Sequence, residues 1–192
     1  FVGCRDPLES FRILDGFRIL CALREGPWGV AAFNVLVERI LRKEGLIGSE
    51  KGPWYAGRPI LVTRNDYSLH LFNGDVGVLL PDPASQGELR AHFPGPGGIL
   101  RRFHPARLPE HETVYAMTVH KSQGSEFARV LLVLPDRDSP VLTRELLYTG
   151  ITRARERVEI RGKKEVFQVA VSRGIERRSG LRDALRNMAG GG

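Results

Sequence analysis

The sequence has little that would cross-link the chain or anchor it in a membrane. It contains two cysteines among 192 residues, Cys4 and Cys21, and they form neither a C-x-x-C pair nor a metal-binding spacing. This excludes a disulfide-rich scaffold and a cysteine-based zinc site, so we expect two buried free thiols in a reducing compartment. The sequence shows no signal peptide and no apolar run of membrane-spanning length. We therefore expect no membrane partner.

The motifs of a self-sufficient ATPase and of a nuclease are also missing. Residues 52–57 have the glycine spacing of a P-loop, but Arg58 and Pro59 follow where Lys and Ser or Thr are required. No acidic strand end of the Walker B type is present, and Asp136 and Asp138 have no partner cluster for a nuclease site. The five histidines lack metal-ligand spacing, so no metal site is predicted. The sequence does not start with methionine, and we expect a piece of a longer protein.

The composition is that of a basic globular chain. The hydrophobic share is 42% and the formal net charge is +7. A chain of 192 residues with this composition can form one domain, or one domain with a small insert. The positive charge favours a polyanionic partner, nucleic acid first and an acidic membrane surface second, although charge alone fits a basic domain without such a partner equally well.

The hydrophobic pattern divides the chain into α/β parts and a β-rich part. Residues 1–74 and 109–187 alternate short apolar runs with helical spacing, which predicts one α/β domain built from both parts. Residues 75–108 are rich in Pro and Gly turns and predict a small β module that leans on its host. Its three strand-like runs are 76–80, 89–93 and 99–103. Residues 188–192 are predicted to be a disordered tail.

The run TVHKSQGSEF at residues 118–127 is rich in hydrogen-bond donors. It lies between two apolar stretches, which predicts a strand, a polar turn, a short helix and a strand, with the polar residues where the first strand ends. Thr118 and His120 can donate to phosphate or sugar oxygens. Lys121 and Ser122 are expected to open the short helix, where free backbone N–H groups favour an anion.

A second run, LYTGITRAR at residues 147–155, places arginines at the end of a helix predicted over residues 143–154. The guanidinium of Arg153 is always charged and can clamp a phosphate with its planar fork. A solvated basic helix face would have the same composition.

The two runs resemble motifs V and VI of superfamily 1 helicases, in the same order. The resemblance implies that Gly124 lets the backbone approach a bound nucleotide and that Glu126 accepts a hydrogen bond from its ribose. It implies that Arg153 is an arginine finger that reaches ATP bound on a partner domain. It also implies backbone contacts to single-stranded DNA by Thr118, His120, Lys121 and Ser122.

Further runs resemble the RecD family, which supplies the α subunit of exodeoxyribonuclease V. ALREGPWGVAAFN at residues 22–34 is similar to motif IV of the RecD-like branch and implies that Arg24 is a second phosphate-sensing arginine, although an arginine that caps a turn would look the same. The segment around Asn65 is similar to a family segment beside the insert and implies a DNA contact, while a turn-forming role explains it equally well. Residues 107–113 and 176–181 add to the match, which covers nearly the whole chain.

The resemblance implies a RecA-like second motor domain, 2A, with an SH3-like module, 2B, inserted at residues 75–108. It implies the C-terminal half of an ATP-dependent DNA helicase that moves 5′-to-3′ on single-stranded DNA in double-strand-break repair and recombination, in the bacterial cytoplasm. ATP and Mg²⁺ would be bound mainly by a missing N-terminal motor domain. The expected partners are single-stranded DNA, that motor domain and, in a complex, the other exodeoxyribonuclease V subunits.

Two alternative interpretations stay open at this point. The chain could be a stand-alone basic nucleic-acid-binding module without catalysis, or a degenerate motor used as a structural subunit. Arg153 discriminates the helicase interpretation from the binding module, because a simple binding module has no reason to place a phosphate-sensing arginine beside motif V.

Overall fold

The computed structural model describes residues 3–48 and 52–174. In these ranges the helices are α1 Pro7–Gly16, α2 Val30–Lys43, α3 Arg144–Ile151 and α4 Lys164–Ser172. The strands are β1 Phe17–Cys21, β2 Pro59–Val62, β3 Val76–Pro81, β4 Leu89–Pro94, β5 Leu100–Phe103, β6 His111–Thr113, β7 Ala116–Thr118, β8 Phe127–Val133 and β9 Ala154–Arg161. No described helix is both long and apolar enough to cross a membrane. The helix predicted at 181–187 and the tail at 188–192 lie outside the described residues.

Four strands form a parallel sheet in the order β7-β1-β8-β9. Cys21, the last residue of β1, lies beside both Thr118 of β7 and Val133 of β8. Val133 in turn lies beside Arg161, the last residue of β9. The carboxyl ends of all four strands therefore meet at one edge of the sheet, and their amino ends meet at the opposite edge.

Helices cover both faces of this sheet, which explains why β1 is a short run of mostly apolar residues. Leu20 packs in a core with Ala170 of α4, on one face. Cys21 packs with Val30 of α2 on the other. Burial raises the pKa of the Cys21 thiol to about 12, so this thiol stays protonated. Cys4 is only half-buried, contrary to the prediction for both cysteines. The layered arrangement confirms the predicted α/β class.

The second sheet is antiparallel, in the order β5-β4-β3-β2-β6. Its strands β3, β4 and β5 confirm the three strands predicted from the sequence. Strands β2 and β6 also belong to it, although they flank the predicted interval 75–108. One cluster of this sheet is built around Leu79 and Phe93, whereas Leu61 packs into the core of the parallel sheet. Three short strands alone would bury too little, and pairing with strands of the host extends their sheet.

A hydrogen-bonded cluster joins α2 to the antiparallel sheet. Glu38 of α2 accepts from the hydroxyl of Tyr55 at 2.8 Å and from that of Thr113 at 3.2 Å. Arg58 Nε donates to the Thr113 hydroxyl at 3.0 Å. The hydroxyls of Tyr55 and Tyr115 lie 3.2 Å apart, and burial raises the pKa of Tyr115 to about 12. Because these bonds are partly buried, they fix the antiparallel sheet against α2.

Candidate functional site

Motif V leaves the carboxyl edge of the parallel sheet through a series of turns. Thr118 ends β7, and residues 119–124 form turns rather than the predicted short helix. The Thr118 hydroxyl accepts from the backbone N–H of Lys121 at 3.1 Å, which closes the first turn. Gly124 has φ +84°, a left-handed conformation that glycine adopts without strain. With no helix here, the argument for an anion at a helix N-terminus does not apply.

The motif V side chains differ in their access to solvent. His120 is exposed, Thr118 and Lys121 are half-buried, and all three can reach a ligand at this edge. Ser122 is fully buried, and its hydroxyl donates to the carbonyl of Val119 at 2.7 Å. The prediction that Ser122 binds DNA is therefore wrong for its side chain, because the hydroxyl is used inside the turn.

Arg24 lies at the same carboxyl edge, just beyond β1. Its carbonyl accepts from the backbone N–H of Ala31 in the first turn of α2, at 3.2 Å. Gly29 makes this tight connection possible, since a Cβ there would lie 2.6 Å from the Arg24 carbonyl oxygen. The Arg24 side chain is 62% exposed. The sequence signal for this turn was the Gly-Pro-rich run that follows Arg24.

Glu112 of β6 pairs with two cations at this edge. Its Oε1 lies 2.6 Å from Lys121 Nζ, and its Oε2 lies 3.3 Å from Arg24 Nη2. Sequence reasoning missed Glu112, because no local pattern links a carboxylate in one sheet to an arginine 88 residues away. Arg24 Nε also lies 3.6 Å from Glu25 Oε1. Arg24, Lys121, Glu112 and Glu25 therefore form one ionic cluster that joins motifs IV and V.

Arg153 lies at the opposite, amino edge of the parallel sheet. Its carbonyl accepts from the N–H of Phe127, the first residue of β8, at 2.8 Å. Its guanidinium donates to the carbonyls of Ser125 and Thr149 at 3.0 and 3.2 Å, and to the Thr152 hydroxyl at 3.3 Å. These partners are neutral oxygens, and none of the ion pairs among residues 3–48 and 52–174 includes Arg153. A full positive charge is thus held in place and left without a carboxylate.

The helix that carries motif VI is shorter than predicted. The prediction placed it over 143–154, but α3 ends at Ile151 and β9 begins at Ala154. Arg153 therefore sits in the connection between helix and strand. Because α3 runs back from the carboxyl edge to the amino edge, this connection presents the arginine at the sheet's amino edge.

Gly124 and Glu126 accompany Arg153 at the amino edge, since they immediately precede β8, and both are exposed. Arg24 does not. The ladder from Phe127 to Val133 separates the two edges by about 20 Å along the strands, at the usual rise per residue. The sequence interpretation expected Arg24 and Arg153 to sense the same phosphate. The structure does not bring them together within this domain, because they lie at opposite edges of the sheet.

Asn65 lies outside the parallel sheet, in the loop between β2 and β3 of the second sheet. Its Oδ1 accepts from the backbone N–H of Asn73 at 2.8 Å, and its Nδ2 donates to the Tyr67 hydroxyl at 3.4 Å. Both polar atoms are used within the loop, as the turn-forming interpretation requires. No group of three or more His, Cys, Asp or Glu side chains that could hold a metal ion occurs in the part of the chain that the structure describes.

The comparisons with known proteins agree with this arrangement of motifs. Residues 113–160, which span both motif V and motif VI, match the family model described as the UvrD-like helicase C-terminal domain. A parallel sheet with these two motifs at its edges defines the C-terminal region of a superfamily 1 DNA helicase.

Two relatives narrow the class. The chain is 46% identical over 175 residues to the RecBCD enzyme subunit RecD of Mycobacterium tuberculosis strain H37Rv, covering 91% of this chain and 29% of the relative. It is 34% identical over 181 residues to the ATP-dependent RecD2 DNA helicase of Deinococcus radiodurans, covering 92% and 25%. The chain belongs to the RecD family and corresponds to its C-terminal helicase region. It spans less than a third of the length of these relatives.

A solved structure of a Pif1 helicase from Bacteroides, in complex with ADP-AlF3 and ssDNA, is also similar. It covers 96% of this chain and 50% of that chain, with 15% sequence identity and a TM-score of 0.46. At this TM-score, the similarity does not support a functional assignment. The family match favours a helicase region over a stand-alone binding module.

Proposed function

We propose that this chain is the second motor domain of an ATP-dependent DNA helicase, with single-stranded DNA at the carboxyl edge of its parallel sheet and a nucleotide at the amino edge. The DNA donors are Thr118, His120 and Lys121, joined by Arg24. A motor must step along any sequence, so contacts to phosphate and sugar are sufficient and base edges need not be read.

The nucleotide edge is carried by one observation: the guanidinium of Arg153 is fixed by three neutral oxygens and has no carboxylate partner among the described residues. An arginine has five N–H donors, so two remain for a ligand. Charge on a transferring phosphoryl group requires cations at the moment of transfer. An arginine that arrives from a second domain ties that moment to domain closure.

Two further residues fit a nucleotide at this edge. Glu126 presents an exposed carboxylate that can accept from a ribose hydroxyl, and Gly124 leaves the backbone open to close approach. ATP with Mg²⁺ supplies the phosphoryl group when it is bound. By the family resemblance, the magnesium ligands and the P-loop are expected on an N-terminal motor domain.

The finer assignments are part of the same proposal. Among the described residues, those up to 74 and from 109 onward belong to domain 2A, and residues 75–108 form an SH3-like module 2B whose sheet is extended by the flanking strands β2 and β6. The relatives named as RecBCD subunits support assembly with the other subunits of exodeoxyribonuclease V, and their bacterial sources support a cytoplasmic setting. Movement in the 5′-to-3′ direction in double-strand-break repair and recombination follows from the family resemblance.

The test is Arg153→Ala in the full-length protein. We expect kcat of the DNA-stimulated ATPase to fall by about 10³-fold or more, as it does when arginine fingers are lost elsewhere. Affinity for single-stranded DNA without nucleotide should stay within twofold of the parent, because Arg153 lies at the other edge. Arg153→Lys should be almost as damaging, since the fork geometry is lost.

Arg155→Ala is the matched control. Arg155 is exposed, lies two residues further on in β9 and has the same charge, so its loss should leave kcat nearly unchanged. If the ATPase rate of Arg153→Ala stayed within a few-fold of the parent, the nucleotide assignment would be wrong. The end of α3 would then be a solvated basic surface.

A further inference from the structure

The loop between β2 and β3 presents two aromatic rings to solvent. Tyr67 is 73% exposed and Phe72 is 42% exposed. Their ring centroids lie 6.0 Å apart in an edge-to-face arrangement. Two neighbouring aromatic residues on a polar loop form an apolar surface that is not used in the core of the protein.

Hydrogen bonds hold the backbone of this loop in place. Asp66 and Leu71 exchange two backbone hydrogen bonds, at 2.7 and 3.0 Å, and Leu71 is fully buried in the core of the antiparallel sheet. The Asp66 carboxylate also accepts from the backbone N–H and hydroxyl of Ser68. At the far end of the loop, the Phe72 N–H donates to the carboxylate of Asp75 at 3.0 Å. The acidic groups are thus occupied by hydrogen bonds within the loop, and these bonds hold the backbone that carries the two rings.

The loop continues the carboxyl edge that carries motif V. Glu112 contacts Lys121, and Glu110, two residues earlier and on the same face of the β6 ladder, contacts Arg64 at 3.1 Å. Two residues of extended chain span about 7 Å. Arg64 opens the loop that carries Tyr67. A single-stranded DNA that runs from Lys121 past Arg64 reaches Tyr67 and Phe72 within a few nucleotides.

Three arginines lie near the loop that carries the pair, and each has a carboxylate close by: Glu110 beside Arg64, Asp75 beside Arg101 and Asp66 beside Arg107. Arg64 lies at the start of the loop, and Arg101 donates to the carbonyl of His70 near its tip. Arg107 lies close enough to Asp66 to lower the pKa of that carboxyl, together with the larger effects of hydrogen bonds from Ser68 and Leu69. An aromatic surface among arginines is the combination that binds unpaired bases along a phosphate backbone.

We propose that Tyr67 and Phe72 form a base-stacking platform that extends the single-stranded DNA path from motif V onto the antiparallel sheet. This platform rests on the proposed DNA edge and adds contacts to bases rather than phosphates. Stacking is tolerant of sequence, because every base has a π-face. It therefore suits a motor that must move along any strand.

The experiment measures binding of the full-length protein to two fluorescent probes of equal length and charge. One is an oligodeoxythymidine, and the other has the same backbone with abasic positions. We expect Tyr67→Ala to weaken binding to the thymidine strand by about tenfold, within the range for one lost stacked base. Binding to the abasic strand should change little, and the salt dependence should not change, because the ring carries no charge.

Two variants separate stacking from structure. Tyr67→Phe keeps the ring and removes only the hydroxyl that contacts Asn65, so it should retain affinity. Ile99→Ala removes a similarly exposed but non-aromatic side chain that directly precedes β5, 71% exposed, and should have no effect.

The outcomes are distinguishable from failure of the proposed function. If Tyr67→Ala lowered affinity equally for both probes, or for neither, the stacking platform would be wrong. If Lys121→Ala also left binding to both probes unchanged, the DNA edge itself would be wrong. Loss with Lys121→Ala alone would keep the DNA edge and reject the platform.

Discussion

Glu112 is predicted to compete with DNA for the two cations at the carboxyl edge. Its carboxylate lies 2.6 Å from Lys121 Nζ and 3.3 Å from Arg24 Nη2. A phosphate that approaches either cation must displace this carboxylate or share the cation with it. Glu112→Gln keeps the size of the side chain and removes its charge, so we expect it to strengthen binding of single-stranded DNA.

The size of the effect follows from the geometry. Glu25 also pairs with Arg24, so two cations and two carboxylates give the cluster no net charge, and the variant raises it to +1. A partly exposed ion pair contributes up to roughly 1 kcal/mol, which corresponds to about a fivefold gain in affinity. Each cation released to neutralise a phosphate steepens the slope of log K against log salt by about 0.7 for a single strand. We therefore expect a slope steeper by about 0.7 to 1.4.

The assay is fluorescence anisotropy with a labelled oligodeoxythymidine between about 50 and 200 mM salt, where this slope is measurable. Glu9→Gln is the matched control, because Glu9 forms an exposed ion pair with Arg12 on α1 and its removal changes the net charge equally. Weaker binding with an unchanged slope for Glu112→Gln would refute the reasoning. Glu112 would then hold Lys121 in position rather than compete for it.

Three further variants test individual residues. His120→Ala should weaken binding by a similar factor on poly-pyrimidine and mixed strands, and a strongly sequence-dependent loss would contradict a backbone contact. Ser122→Ala should lower the free energy of unfolding by about 1 kcal/mol through the lost bond to Val119 and leave DNA affinity unchanged; a reverse result in denaturant and binding titrations would restore its DNA role. Burial lowers the pKa of His92 below its ordinary value of 6.5. As pH falls below about 6.5, this histidine is therefore protonated in the unfolded chain before it is protonated in the folded one, and the folded state loses stability. Denaturant titrations of His92→Gln should show a smaller loss between about pH 7.5 and 5.5, and an equal loss would exclude this group as the cause.

The sequence alone determined the elements whose signals are local. Motif V and motif VI were recognised because glycine, arginine and hydroxyl residues stand at short fixed spacings, and the family comparisons confirm the helicase class that they indicated. Strands β3, β4 and β5 were predicted from apolar runs between Pro- and Gly-rich turns. The donors Thr118 and His120 lie at the end of β7, where a parallel sheet is expected to place them.

Tertiary structure decided the rest, because the partners of these residues are distant in sequence. Glu112 meets Arg24 only where β6 approaches the end of β1. Ser122 looked like a donor, but the turn between β7 and β8 buries it in the core. The sequence interpretation assigned Arg24 and Arg153 to one phosphate, but the parallel strands place them at opposite edges of the sheet. Residue spacing fixes which side chains share a turn, whereas the packing of the two described sheets against their helices fixes which side chains share a site.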